Sequence, residues 1–335
     1  MSVTGEADAE ERDEDLAPPR RRPGGRLVGG LLFVLVALFL VAAAVRLLGL
    51  DANRYTVALI ALTPYVLAVG FVLAVFSLLA RRWIIGLLAL VLVVILGADV
   101  AGRVLPDSRP FQRGPQVRVL SANLSGHGNA RAVVDWVRRG RVDVLSLQGL
   151  TPEAVAALDA AGLRTELPYR EFEPTAEGTG SGLAARFPLR RRALAGPSRH
   201  EQPSAWVDVP GSRGLEVVVV HAARPLSPAG PDQWRRELAG LPAAPGEGPP
   251  RILAGTFNAT LDHAPLRALV NQGYRDAAAE VGRGLVPTWP ADRLVPLVAL
   301  DHVLVDRRCA VDDLVVLDVS GSAHRAVLTT ITMPG

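Results

Sequence analysis

Hydrophobic and polar positions divide this chain into an apolar N-terminal part and a longer part of short alternating elements. Leu27 to Val45, LVGGLLFVLVALFLVAAAV, carries no charge and is long enough to cross a bilayer core as a helix. A second apolar stretch, about Tyr55 to Ala80, is interrupted only by Pro64 and Gly70, and a third covers about Trp83 to Ala98. The third is short, but Trp83 suits an interfacial anchor, and Asp99 and Arg103 mark its exit. The pattern predicts three transmembrane helices, at about 27–45, 55–80 and 83–98. A signal peptide is the alternative for the first, but no small-residue cleavage site follows cleanly and two further spans do. Residues 1–26 are acidic, then basic, and nearly devoid of large apolar side chains, which predicts a disordered tail.

Residues 99–116, rich in Pro and Gly, read as an extended linker. From Val117 onward short strands alternate with amphipathic helices. VRVLSANL, VDVLSLQ, SGLAARF, SAWVDV, LEVVVVH, RILAGTFN, ALDHVLV, DLVVLDV and RAVLTTITM read as strands. NARAVVDWVRRG places Ala132, Val133, Trp136 and Val137 at helical spacing and ends at Gly140. TPEAVAALDAAG opens with Thr151 as cap, Pro152 at the first helical position and Glu153 in the first turn. PDQWRRELAGL is a further helix. Together these elements predict one mixed α/β domain over 117–335.

Composition agrees with the membrane reading: hydrophobic residues make up 49% and mean hydropathy is +0.26. The net charge of +3, all of its basic part arginine, does not by itself argue for a nucleic-acid partner. Cys309 is the single cysteine, which excludes an intrachain disulfide and a cysteine zinc cage, and it reads as a small core or edge residue. Arg20, Arg21, Arg22 and Arg26 precede the first span, and Arg81 and Arg82 separate the second from the third. This bias predicts a multi-pass protein with a cytoplasmic N-terminus and an extracytoplasmic C-terminal domain. Arg46, Arg54, Arg103, Arg109 and Arg113 weaken the contrast.

Several strands end in hydrogen-bonding side chains: Asn123, His221, Asn258 and Asp301, with His302 beside it and His324 before the last strand. The order of VRVLSANL, VDVLSLQ, GLAARFPL, VVVVHAARP, ILAGTFNAT, GYRDA, PTWP, LDHVLV and GSAH resembles the endonuclease/exonuclease/phosphatase superfamily, over about Val117 to Pro334. Behind the transmembrane helices read from the apolar runs, the resemblance implies a DNase I-like α/β four-layer sandwich, two packed mixed β-sheets flanked by helices. It also implies cleavage of phosphoester bonds with a divalent metal, in nucleic acids, phosphoinositides or phospholipid head groups.

Carried over position by position, the resemblance makes Asn123, His221, Asn258 and His324 phosphate-binding, with His221, Asp301 and His324 as the catalytic set. The family's acids are absent: its metal-binding glutamate falls at Gly149, its water-activating aspartate at Thr256, and the aspartate of its terminal Ser-Asp-His motif at Ala323. Mg²⁺ is usually held by one or two carboxylates plus phosphate, so no cofactor is expected to bind tightly; Mg²⁺ or Mn²⁺ is implied if the family activity persists. Glu153 is a possible replacement ligand, though it suits the helix N-terminus. Asp262 and His263 read as a capped start to the helix DHAPLRALV, His302 as turned away from Asp301, and Arg190 to Arg192 as solvated charges. Three readings compete: a membrane-tethered, catalytically impaired domain holding a phosphate-bearing ligand; an active metal-dependent phosphodiesterase, phosphatase or nuclease; and a structural envelope domain. The expected partners are the lipid bilayer and a phosphate-bearing small molecule, lipid head group or nucleic acid.

Overall fold

A computed structural model describes residues 24–106, 112–125, 128–227, 230–293 and 295–335. The tail expected over 1–26 therefore lies, up to residue 23, outside the described residues. Four helices come first: α1 (Gly24–Leu47), α2 (Arg54–Ala61), α3 (Thr63–Leu79) and α4 (Trp83–Ala101). Two stretches, Gly29–Leu47 and Trp83–Ala101, are long and apolar enough to cross a membrane. The second expected span is not one straight helix: α2 and α3 meet at a 69° bend. Pro64, in the first turn of α3, has no N–H to continue a helix, and Thr63 Oγ1 donates instead to the Ile60 carbonyl (2.7 Å). Beyond the bend, α2 leaves the bundle and buries Val57 against the domain beside Trp234 and Leu266. Helices α1, α3 and α4 pack around Val36, Phe39, Leu73, Ala74 and Ala89.

The domain contains twelve strands: β1 (Gln116–Asn123), β2 (Val144–Leu150), β3 (Tyr169–Glu173), β4 (Gly180–Ala185), β5 (Leu189–Arg192), β6 (Ser204–Val207), β7 (Leu215–His221), β8 (Arg251–Thr256), β9 (Tyr274–Asp276), β10 (Asp301–Asp306), β11 (Ala310–Leu317) and β12 (Ala326–Thr332). Between them run α5 (Ala130–Gly140), α6 (Pro152–Ala160), α7 (Leu163–Glu166), α8 (Gly230–Ala239), α9 (Ala264–Val270) and α10 (Ala277–Glu280). The strands form two six-stranded mixed sheets, ordered β11-β12-β1-β2-β4-β3 and β5-β6-β7-β8-β10-β9. One core lies between the sheets, a second under α5 to α7 and a third under α8 and α9, which makes the expected four-layer sandwich. Strands β3, β5 and β9 escape the hydrophobic pattern because all three are sheet edges, where one side faces solvent and charge is favoured. Arg190 to Arg192 lie on β5; Arg190 stacks over Trp206 and Arg191 pairs with Glu173.

Helix α5 is rotated slightly from its expected face: Ala130, Val133, Val134 and Val137 are buried, while Trp136 is half-buried and donates from Nε1 to the Asp318 carbonyl (3.2 Å). Thr151 caps α6 as expected, accepting from the Ala154 N–H (3.1 Å). Cys309 is buried, and burial pushes its thiol up to about 12.

The inward faces of the strands carry the information that positions a site. Side chains alternate across a strand, so every second residue points between the sheets. Along β1 these are Val117, Val119, Ser121 and Asn123; along β7, Val217, Val219 and His221; along β8, Ile252, Ala254 and Thr256. The antiparallel partners run the other way, with Ser181 before Leu183 on β4 and Asp301 before Val303 on β10. Each of these inward rows is apolar at one end and polar at the other, and the polar ends line one rim. Gly255 sits in this register beside Val220 of the parallel strand β7, with φ +154°.

The apolar helices are joined to this domain through charge as well as packing. Asp262 does not cap a helix, and α9 begins only at Ala264, whose N–H donates to Asp51 Oδ2 (2.7 Å) from the α1–α2 connection. Asp262 instead accepts from Arg46 Nε (2.9 Å) at the end of α1 and from Arg103 Nη1 and Nη2 (2.9 and 3.0 Å) just after α4. Asp99 completes the cluster from the solvent side. His263 Nδ1 accepts from the Thr260 N–H (2.9 Å), so its proton is on Nε2, which donates to the Val57 carbonyl of α2 (3.0 Å). The chain after Asp99 is not an extended linker at its start. Helix α4 continues to Ala101, and Arg103 to Pro106 pack on Gly282 and Gly284.

Candidate functional site

The coinciding polar ends close into a hydrogen-bonded rim that stitches the two sheets. Asn123 Nδ2 donates to Thr256 Oγ1 (2.9 Å), and Thr256 Oγ1 donates to Asp301 Oδ1 (2.5 Å). Thr288 Oγ1 donates to Asp301 Oδ2 (2.6 Å), and His324 Nδ1 donates to the same carboxylate (2.9 and 3.1 Å). His324 is further fixed by its own N–H, which donates to Ser322 Oγ (2.9 Å), while Ser322 Oγ donates to the Asn123 carbonyl (2.6 Å). His221 sits opposite, its Nδ1 3.2 Å from Ser181 Oγ and its N–H donating to Gln202 Oε1 (3.1 Å). Asn258 adopts φ +51°, a left-handed conformation that asparagine tolerates better than most residues, and donates from Nδ2 to the Ala222 carbonyl (2.8 Å).

Asn123, His221, Asn258 and His324, the four expected phosphate-binding residues, thus line one cavity of about 1000 Å³, together with Gly149, Glu153 and Thr256. Asp301 stands behind His324 and away from this lining. His302 points to the other face of β10, where it donates to Asp276 Oδ2 (2.8 Å) and to the Ala259 carbonyl (2.9 Å). Sequence reasoning missed Thr288 and Ser322, which orient Asp301 and His324. Both lie inside quoted segments, PTWP and GSAH, in which Thr288 and Ser322 themselves had no assigned task. It also missed Arg199, His200 and Arg224 on the cavity wall. The His200 and His221 rings lie 4.2 Å apart. His200 stands in a loop between β5 and β6, where no periodicity points to it.

Residues 120–324 match the family model described as Endonuclease/Exonuclease/phosphatase family. The chain belongs to this family. Among solved structures it is similar to an endonuclease/exonuclease/phosphatase from Beutenbergia cavernae, at 18% identity over 67% of this chain and 72% of that one, TM-score 0.50. It is also similar to truncated Caenorhabditis elegans TDP2, at 15% identity over 65% and 97%, TM-score 0.51. A third is D. rerio TDP2 complexed with single strand DNA product, at 19% identity over 65% and 99%, TM-score 0.50. At such identities the likeness shows the fold. No curated protein matches the chain significantly.

Members of the endonuclease/exonuclease/phosphatase family typically use divalent metals, and the donor set here does not fit one. Gly149 has φ +70° at a bulge in β2, so the position lacks a carboxylate and holds a backbone conformation in which a glutamate would be strained. Ala323 offers no donor. Both oxygens of Asp301 are engaged by two hydroxyls and a histidine. Among the described residues no group of three or more His, Cys, Asp or Glu could hold a metal ion.

The electrostatics follow from burial and neighbours. Burial raises the Asp301 carboxyl, but His324 and the hydroxyls of Thr256 and Thr288 outweigh it and hold the group below the usual carboxylate range. Burial, with His200 and His324 nearby, holds His221 well below the usual histidine value, and burial lowers His263. For His302 burial is outweighed by Asp276, and its pKa is raised.

The signs predict a stability maximum near neutral pH. Below about 6.5 the unfolded chain takes up protons at His221 and His263 that the folded chain refuses, so stability falls by up to ~1.4 kcal/mol per pH unit for each. The His302 contribution is complete below about 6.5 and is lost as pH rises through its raised folded value. Thermal melts of the full chain from pH 5 to pH 8.5 check this; a melting temperature that keeps rising toward pH 5 would contradict it.

Proposed function

We propose that this domain holds a phosphate-bearing ligand on the rim formed by Asn123, His221, Asn258 and His324 and does not cleave it. We further propose that α1, α4 and the bent α2–α3 pair tether it to a membrane, with a cytoplasmic N-terminus and the domain on the outer side. The observation that carries the functional reading is the state of Asp301, the surviving acid: two threonine hydroxyls and His324 saturate it. Thr256 cannot take a proton from water near neutral pH, and general-base assistance is worth ~10²–10⁴ in rate. Apart from Glu153 and Glu177, the hydrogen-bonding side chains that line the cavity are neutral or cationic, which suits an anion without metal. Family membership supports phosphate as that anion.

The test uses the full chain in detergent, titrated calorimetrically with inorganic phosphate in the presence of EDTA, at pH 6 and pH 7.5. Binding is expected, and His324→Ala should weaken it by about tenfold, the scale of one charge-assisted hydrogen bond. A parallel assay with Mg²⁺ or Mn²⁺ on a generic phosphodiester should show no turnover. Turnover lost both with EDTA and in His324→Ala would overturn the reading in favour of an active hydrolase, a second possibility that Glu153 keeps open because it lines the same cavity as Gly149. Absence of phosphate binding would leave the structural envelope role. Protease reaching the domain from outside intact cells supports the orientation; protection overturns it.

A further inference from the structure

The cavity is larger than one phosphate needs. At about 1000 Å³ it stands at the upper end of pockets that enclose drug-sized ligands. The Asn123, His221, Asn258 and His324 rim occupies one side. The wall beyond His221 is cationic and belongs to no part of the family's catalytic set. It is made by Arg199 and His200 from the β5–β6 connection, Arg224 from the turn after β7, and Arg236 from α8.

This wall is built rather than incidental. Glu237 of α8, a carboxylate only 2% exposed, lies behind it. Its Oε1 accepts the Arg199 N–H (2.7 Å) and its Oε2 accepts the Ala223 N–H (2.6 Å). Gln233 Nε2 also donates to Glu237 Oε1 (2.8 Å). One buried acid thus ties together the backbones of the two segments that carry Arg199 and Arg224. Its oxygens are spent on backbone and amide donors, so it neutralises neither guanidinium by direct contact. Among the described residues the Arg199 and Arg224 side chains make no hydrogen bond or ion pair. His200 lies against the rim, its ring 4.2 Å from that of His221 and its buried Nδ1 without a hydrogen-bond partner. The acids on the cavity lining, Glu153 and Glu177, come from α6 and the β3–β4 connection.

We propose that Arg199, His200 and Arg224 form a second anion subsite, so that the ligand is a diphosphate: one phosphoryl group on the Asn/His rim and the next on the arginine wall. This rests on the phosphate-binding reading above and names its ligand class. Planar guanidinium groups donate in pairs to phosphoryl oxygens, and two unengaged ones beside a rim of single donors favour a ligand carrying two linked anionic groups.

The experiment compares inorganic phosphate with inorganic pyrophosphate on the full chain in detergent with EDTA, by calorimetry. Pyrophosphate is expected to bind about tenfold tighter or more, since each added charge-assisted contact is worth at least that factor. In Arg199→Ala/Arg224→Ala the ratio should fall to near one; both side chains are exposed, so folding should survive, and the melting temperature checks that. Equal affinities in the wild-type chain, or a ratio that persists in the double variant, overturn the second subsite while the phosphate reading stands. Absence of phosphate binding overturns that reading itself. Farnesyl diphosphate in the same detergent separates the sources of such a ligand. Tighter binding than pyrophosphate assigns a membrane-borne diphosphate, and equal or weaker binding assigns a soluble one.

Discussion

Replacing Asp262 by alanine is expected to cost the full-length chain about 3–5 kcal/mol of stability, the usual penalty for removing one partner of a buried ion pair. The residue is almost fully buried and is the inner anion of a cluster that also contains Arg46 and Arg103, both side chains only 8% exposed. Alanine would leave two guanidinium groups at the junction between the apolar helices and the domain, with only Asp99 to answer them. Asp99 is 45% exposed, so water already screens part of its attraction, and it cannot replace two well-aligned contacts on the domain side. Asp262→Asn should fall between wild type and alanine because it keeps acceptor geometry and loses charge. Replacing the whole cluster by Arg46→Met/Arg103→Met/Asp262→Leu should recover most of the loss, because no buried charge then lacks a partner. Thermal unfolding in detergent followed by tryptophan fluorescence reads all three. If Asp262→Ala melts with the wild type, the cluster does not hold the helices to the domain.

A second large effect is expected at Gly255, inside the segment ILAGTFNAT. A methyl group here would lie 1.9 Å from the Val220 carbonyl oxygen of the neighbouring parallel strand, and the backbone stands at φ +154°. The obstructing atom is backbone within a central sheet pairing, so no side chain can turn aside. Relief requires β7 and β8 to separate, which breaks the ladder that sets His221 beside Thr256. Gly255→Ala should therefore lose about 4 kcal/mol or more, or fail to give folded protein. Gly211→Ala is the matched comparison. It also has positive φ, +76°, but nothing lies within 4 Å of the added carbon, so the cost should be only about 1–2 kcal/mol of backbone strain. Similar melting temperatures for the two variants would show that the close approach at Gly255 is unimportant.

The Gly255 position also explains how this strand end keeps its backbone course with a threonine at position 256. The close strand approach is a backbone requirement, independent of what residue 256 carries. Thr256, where the family resemblance implies an acid, points inward and donates to Asp301 at 2.5 Å. A carboxylate at the same place would face Asp301 with like charge. A threonine at position 256 is thus compatible with this scaffold, which sets Asn123, Asn258, His221 and His324 around one cavity.

Much of this was legible before any tertiary structure. Nine of the twelve strands follow from buried apolar runs or alternation, because a strand between two packed layers must be apolar on both faces. The carboxylate-free positions Gly149, Thr256 and Ala323 and the polar residues Asn123, His221, Asn258 and His324 are visible in single short segments. The edge strands β3, β5 and β9 were not, since a solvent-facing strand such as LRRR has the composition of a loop. The bend between α2 and α3 was half legible: Pro64 marks the place, but only Val57, drawn into the domain core, shows that α2 departs from the bundle.

The residues whose roles the tertiary structure alone decided are those whose partners are distant in the chain. Asp262 reads locally as a helix cap because the local alternatives are all a sequence offers; its partners lie 216 and 159 residues away. His200 has no signature at all until the β5–β6 connection lays its ring against His221. Hydrophobic periodicity and strand-end chemistry act within one element, so the sequence by itself determined nine of the strands, the apolar helices and the absence of carboxylates at Gly149, Thr256 and Ala323. Charge pairing and cavity walls require elements to meet, so the junction with the helices and the arginine wall were decided only by the fold.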